Sequence, residues 1–216
     1  MKNKAIVLLS GGLDSTTTLY LVKNKYKCFC LIFDYGQRHR KEIENAKNVA
    51  KTAGCKYNVV KIFLPWKGSS LIDKNKKIPY NKSGSIGGKI PSTYVPGRNT
   101  IFLSYALSFA EAIGARKIFI GANSLDFSGY PDCRPKYFRN FNRVFKIGTR
   151  NKNIKIETPI IYKTKKDIVK LGTKHKVPFE LTWSCYSGGK HPCGKCDSCI
   201  LRAKGFKEAG EEDPVS

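Results

Sequence analysis

Acidic side chains are scarce here: 16 Asp plus Glu stand against 40 Lys plus Arg in 216 residues, a formal charge of +24. Such a surplus attracts nucleotides, nucleic acid or other polyanions. Long apolar runs are missing too. Ala5 to Leu9 is too short for a signal-peptide core or a membrane span, so a cytosolic protein without a membrane partner is expected. Also absent are a G-x-x-x-x-G-K-S/T loop and a G-x-G-x-x-G turn after a strand. Kinase-like γ-phosphoryl transfer and dinucleotide binding lose their main support with them. The basic surplus lacks an Arg-rich, aromatic-interleaved stripe: 31 of the 40 are Lys, scattered along the chain. That pattern describes a solvated surface, and no direct nucleic-acid partner is required.

Hydrophobic residues make up 41% and aromatics 12%, enough for one α/β core without disulfide staples. The run from Ala5 to Leu9, the glycines that follow and the helical spacing of Leu19 and Val22 read as strand, tight turn, helix. The pattern repeats with a strand at Cys28–Phe33, a helix at His39–Ala53 closed by Gly54, and a strand at Tyr57–Phe63. Alternation of this kind predicts a parallel sheet. Residues 64–98 show neither apolar period and carry Trp66, Tyr80 and Tyr94, so a mobile lid is expected there. Beyond it, Asn99 is placed to cap a helix over Thr100–Ile113, apolar around most of its circumference and so expected to be central. A strand at Lys117–Gly121, a helix at Lys136–Ile147, a strand at Ile154–Glu157 and a capped helix from Thr164 complete the main domain, 1–180.

The first strand delivers Ser10-Gly11-Gly12-Leu13-Asp14-Ser15-Thr16 to the sheet's C-terminal rim, where α/β proteins bind phosphate. Glycines at 11 and 12 permit positive φ and close backbone approach, while hydroxyls at Ser10, Ser15 and Thr16 donate to phosphate oxygens. Asp14 cannot donate and is expected to hold Mg²⁺ or to orient the loop.

At the other end, Cys185, Cys193, Cys196 and Cys199 follow the pattern C-x7-C-x2-C-x2-C. Two consecutive C-x2-C steps converge four thiolates on one tetrahedral ion, so a single structural Zn²⁺ is expected in a segment over 181–216 packed on the main domain. His191 is left outside the completed shell, and Cys28, Cys30 and Cys55 are assigned no chemistry.

Ser-Gly-Gly-x-Asp-Ser after the first strand resembles the PP-loop of the ATP pyrophosphatases, which cleave ATP between its α and β phosphates to adenylate a substrate. Residues 4–208 are similar to the 7-cyano-7-deazaguanine synthase family of queuosine biosynthesis. The similarity includes Phe33-Asp34-Tyr35-Gly36-Gln37-Arg38-His39, Val95-Pro96-Gly97-Arg98-Asn99, Ser128-Gly129-Tyr130-Pro131-Asp132-Cys133-Arg134 and Thr182-Trp183-Ser184-Cys185-Tyr186. It implies a Rossmann-like open parallel sheet of the adenine nucleotide alpha hydrolase-like type. ATP would then lie along Leu9, Ser10, Gly11, Gly12, Leu13, Asp14, Ser15, Thr16, Thr17, Thr18 and Leu19, with Mg²⁺. Asp14, Ser15 and Lys163, in the late basic string Thr158 to Thr164, would be catalytic. Tyr35, Gln37, Tyr130 and Asp132 suit a planar polar base, Arg98 or Arg134 suits a carboxylate, and Asn99 completes the substrate set.

The implied reaction is a carbon–nitrogen ligation. ATP adenylates the carboxylate of 7-carboxy-7-deazaguanine, ammonia converts the adenylate to an amide, and a second activation yields the nitrile, in a homodimer. Free ammonia is the expected donor, since the length leaves no room for a glutaminase. Two other readings compete. A PP-loop tRNA-modifying enzyme of thiolation or lysidine type would want uncommitted cysteines, of which only Cys133 adjoins the proposed site. A nonenzymatic zinc-bearing RNA-binding module would not retain a full set of hydroxyls and a carboxylate in its loop.

Overall fold

β1 (Lys4–Leu8) is buried at every position after its first residue, as an inner strand of a parallel sheet covered on both faces must be. In this computed structural model, which describes residues 2–80, 90–125 and 129–215, β1 pairs in parallel with β2 (Lys27–Asp34) on one side and β4 (Lys117–Ile120) on the other. β3 (Lys56–Lys61) flanks β2 and β5 (Lys155–Glu157) flanks β4, giving the order β3-β2-β1-β4-β5. The chain therefore winds outward in both directions from β1, and the switch between β1 and β4 leaves a crevice at the strands' C-terminal ends.

Side chains alternate across the sheet, so each face has its own core. Ile6, Leu8, Leu31, Phe33, Ile118 and Ile120 meet Leu103, Ala106 and Ala110 of α3 (Arg98–Ile113) and Phe138 and Phe145 of α4 (Pro135–Gly148). Ala5, Val7, Cys30 and Ile32 meet Leu19 of α1 (Leu13–Val22) and Ile43, Ala46 and Val49 of α2 (Lys41–Thr52). α5 (Lys165–Lys174) and α6 (Asp197–Ala209) close the molecule beside α1 through Leu13, Ile160, Ile168, Val169 and Phe206. Each expected strand and helix is present, with ends shifted by one to a few residues.

Two expectations change. α3 is not central: its buried residues are Asn99, Leu103, Ala106 and Ala110, and Tyr105 is 46% exposed. It covers one sheet face, with Phe102 and Phe109 packed against the core and Tyr105 left outside. Nor does Asn99 cap it, because the N-cap is Gly97 at φ 64, and Asn99 lies inside the first turn. The Asn99 amide donates instead to the Asp132 carboxylate at 3.2 Å.

Residues 81–89 of the expected lid, and Ser128, lie outside the described residues. The described ends of that stretch are docked. Leu71 and Val95 are buried in the α3 core, Ile78 packs with Cys185 and Cys196, and Tyr80 bridges to Cys196.

Candidate active site

β1 ends at Leu8 and is followed by Leu9 and Ser10, and the turn into α1 is shaped by Gly11. Its φ is +78, and a Cβ there would lie 2.5 Å from the Glu42 carbonyl oxygen and 2.6 Å from the Ala46 nitrogen. Glycine is thus required twice over, by backbone angle and by contact with α2. Gly12 is extended, at φ −83, so the positive φ expected at both glycines occurs at the first. No side chain caps α1, which leaves its first amides directed at the crevice, the arrangement that binds anions. Ser10 and Ser15 line the same turn with hydroxyls 3.0 Å apart, and Ser15 Oγ donates to the Gly12 carbonyl at 3.2 Å.

Leu9, Ser10, Gly12, Leu13, Asp14 and Ser15 line a cleft of about 250 Å³. Thr16, Thr17, Thr18 and Leu19 do not reach it. All four are fully buried, and the three hydroxyls have no partner among the described residues. Consecutive residues on a helix point in successive directions about 100° apart, so the run cannot all face one ligand, and it packs inward instead.

Asp14 holds Lys165, whose Nζ lies 2.7 Å from both carboxylate oxygens. Lys165 lines the cleft, whereas Lys163 lines a separate hollow with Leu21, Tyr26 and Phe119. The expectation for Lys163 is corrected accordingly. Thr164 caps α5 by a reciprocal capping box with Asp167, so helical geometry begins at Lys165 and turns that side chain back over α1.

Opposite the turn stands an aromatic wall. Arg98 Nη1 donates to the Tyr35 hydroxyl at 3.1 Å, and Tyr130 hydrogen-bonds Thr93 at 2.6 Å. Tyr35, Arg98, Asn99, Tyr130 and Cys133 all line the cleft. Arg134 is exposed outside it, so of the two arginines Arg98 is the one in reach. Asp132 lies behind the wall, 6% exposed, its carboxyl pushed up by burial even though the Asn99 amide and Arg98 oppose the shift. Burial likewise pushes the Cys133 thiol up to about 12, with Asp132 adding to the effect. Gln37 lines the cleft but spends both ends of its amide on its own loop, accepting from Tyr35 N at 2.9 Å and donating to Phe33 O at 3.0 Å. It fixes Tyr35 and has little left with which to read a base edge.

The four cysteines of the C-terminal segment place their sulfurs within 4.8 Å of one another, and they form one site able to hold a metal ion. Metal–sulfur bonds of about 2.3 Å in a tetrahedron separate the sulfurs by about 3.8 Å, so a single ion fits this spacing. Backbone amides of Ser187 and Cys193 point at Cys185 Sγ, at 3.4 and 3.3 Å, and those of Lys195 and Cys196 at Cys193 Sγ, at 3.5 and 3.4 Å. Such donors stabilise thiolate charge. His191 is exposed and outside the group.

This segment also completes the cleft. Trp183, just before Cys185, donates its amide to the Gly11 carbonyl at 2.9 Å and its indole N–H to the Cys185 carbonyl at 3.0 Å. Arg202 of α6 lines the cleft while bound bidentately to Asp213, at 2.7 and 2.8 Å. Neither Trp183 nor Arg202 stands out by spacing, and Lys165 was one of many lysines; the capping signal at Thr164 is the one clue that marks it.

Comparison with known proteins agrees with this geometry. The family model for the queuosine biosynthesis protein QueC matches residues 4–210. A Picrophilus torridus protein named 7-cyano-7-deazaguanine synthase is 54% identical, with 98% of this chain and 90% of that protein aligned. Its namesake in Thermoplasma acidophilum is 49% identical over 99% and 92% of the two chains. Among solved structures, the U34-tRNA thiolase NcsA of Methanococcus maripaludis, which carries a 4Fe–4S cluster, superposes with a TM-score of 0.52 at 16% identity, covering 95% of this chain and 65% of that one. That likeness concerns the fold alone. With a family-model match across nearly its whole length and relatives about half identical to it, the chain belongs to the QueC family of queuosine biosynthesis enzymes.

Proposed function

We propose that the chain converts 7-carboxy-7-deazaguanine and ammonia to 7-cyano-7-deazaguanine at the expense of ATP, through an acyl-adenylate and then an amide. The observation that carries this reading is a single cleft with an uncapped helix N-terminus on one side and Arg98 with two tyrosines on the other. The first suits a polyphosphate, and the second suits a flat polar base bearing a carboxylate. A carboxylate is a poor electrophile because its oxygen is a poor leaving group, and adenylation removes that barrier.

In this reading the amides of α1 and the hydroxyls of Ser10 and Ser15 hold the phosphates, and Lys165 stabilises charge developing at the α-phosphorus. Tyr35 and Tyr130 sandwich or edge the deazapurine, and Arg98 orients its carboxylate. Asp14, one of the carboxylates in the cleft, would hold Mg²⁺, which supplies charge neutralisation for the phosphates. Zn²⁺ in the four-cysteine site would be structural, since four thiolates leave no open position. A homodimer in the cytosol, with residues 1–180 as the catalytic domain and 181–216 as its zinc-binding extension, completes the proposal. The thiolation alternative needs a reactive thiol, and Cys133 is held protonated. The test is direct: zinc-replete protein given the carboxy-deazaguanine, Mg-ATP and ammonia should release AMP and pyrophosphate and form the nitrile, read by mass. Persistent absence of both products abandons the reading.

A further inference from the structure

His39 is a buried titratable group that the chemistry above leaves unused. It follows β2, is 4% exposed and lines the cleft together with Glu42 of α2. Its Nε2 lies 3.0 Å from Glu42 Oε2, so Nε2–H donates to the carboxylate and Nδ1 is the ring nitrogen left over. Nδ1 is buried and has no hydrogen-bond partner among the described residues. An orphaned buried acceptor costs free energy, and a ligand N–H that reaches it offsets the cost.

Position gives this acceptor a role. On one side, the Glu42 backbone is the surface against which Gly11 of the phosphate turn packs. On the other, the His39 ring faces Tyr186 at 6.0 Å between centroids, and Tyr186 hydrogen-bonds Tyr130 of the aromatic wall. His39 therefore stands where the phosphate turn meets the base-binding wall, the place where an adenylated carboxyl would put its reactive carbon.

We infer that His39 is the proton acceptor for the nitrogen chemistry and that Glu42 is its positioning residue; the inference rests on the nitrile-forming reading. In the first half-reaction the ammonia lone pair forms the C–N bond, the C–O bond to AMP breaks with its electrons leaving on AMP, and one N–H proton passes to Nδ1. In the second, the amide oxygen displaces pyrophosphate from a second ATP as one N–H proton is lost. The last N–H proton then passes to Nδ1, its bonding pair becomes the third C–N bond, and AMP departs with the C–O pair. Three protons leave nitrogen in all, and each one taken at Nδ1 leaves the ring through Nε2 to the Glu42 carboxylate, whose side chain is 18% exposed, before the next is taken.

The experiment separates adenylation from amination. Pyrophosphate–ATP exchange driven by the carboxy-deazaguanine without ammonia reads the first, and nitrile formation with ammonia reads the second. His39→Asn should keep exchange within about threefold of wild type while nitrile formation falls roughly 10²- to 10⁴-fold, the span of a lost general base. Glu42→Gln, which keeps the shape and weakens the orientation of the ring, should lower nitrile formation about tenfold with exchange retained. His39→Asn forming nitrile at the wild-type rate, or exchange and amination falling together in both variants, overturns the inference. Absence of exchange in the wild-type protein refutes the parent reading instead, so the two failures are distinguishable.

Discussion

A Cβ added to Gly205 of α6 would lie 2.6 Å from the Cβ of Lys165 and 3.1 Å from its carbonyl carbon. The helix that starts at the cysteine cluster thus sets the seat of the lysine that grips Asp14.

Gly205→Ala therefore forces α5 and α6 apart, because the atoms in the way are at the base of Lys165 and cannot swing aside. Overpacking of this kind costs about 1–3 kcal/mol, partly offset by about 1 kcal/mol of helix propensity gained over glycine. The expected result is a melting temperature lower by a few degrees, at about 2–4 °C per kcal/mol for a chain of this size. Pyrophosphate exchange should fall more than stability does, since Lys165 moves relative to Asp14. A variant as active and as stable as wild type would show that the contact relaxes freely.

Lys165→Ala and Lys163→Ala make a matched pair. The first removes the cation that lies 2.7 Å from both Asp14 oxygens; the second removes one that lines another hollow. Loss of a charge aimed at developing phosphate charge costs about 10²- to 10³-fold in turnover, so Lys165→Ala should fall by that factor and Lys163→Ala should stay within about twofold. Steady-state turnover of both variants decides between them, and equal losses would remove Lys165 from its assigned place.

Metal removal should act on the cleft as well as on the C-terminal segment. The Trp183 amide is bonded to Gly11 and its indole to Cys185, so releasing the cysteines releases one wall of the glycine turn. Strong chelation, or Cys196→Ser, is expected to abolish adenylation and to expose α6 to protease, while the sheet keeps most of its far-UV signal because its two cores lie elsewhere. Elemental analysis should give one zinc per chain in the untreated protein. Full activity after complete metal loss would break this link.

What could be read from the sequence was whatever has a local signature. The apolar run before Gly11, the Thr164 cap and the two C-x2-C steps each carry their geometry in their spacing. Direction and competition were not legible. Lys163 lies in the matched string and Lys165 just past its end, and only the helix start at Lys165 decides which of them faces Asp14. Gln37 has the right chemistry for a base edge, yet the backbone of its own loop takes both ends of the amide. Leu71, Ile78 and Val95 anchor the stretch expected to be a lid as single apolar residues without period, and anchoring of that kind appears once the core they enter has been assembled. His39 has no signal beyond its place in a matched string, because an orphaned ring nitrogen is a property of packing.

Cys133 gives the alkaline behaviour of the cleft a definite sign. Burial, reinforced by Asp132, raises its thiol from an ordinary 9.0 to about 12, so between those values the folded chain keeps a proton that the unfolded chain has lost. Stability is therefore undiminished below about pH 9 and declines as pH rises toward about 12. Tyr137, raised by burial from 10.0 to about 12, adds to the decline in the upper part of that window. Cys133→Ser replaces the thiol with a hydroxyl that does not ionise there, so its urea midpoint should fall less steeply than wild type between pH 9 and 10, before Tyr137 contributes. The same variant addresses the sulfur-transfer alternative, in which this thiol would be indispensable: nitrile formation by Cys133→Ser should stay within a few fold of wild type. Parallel pH slopes would show the thiol to be better solvated than its burial implies, and a dead Cys133→Ser that still binds ATP would return the residue to the chemistry.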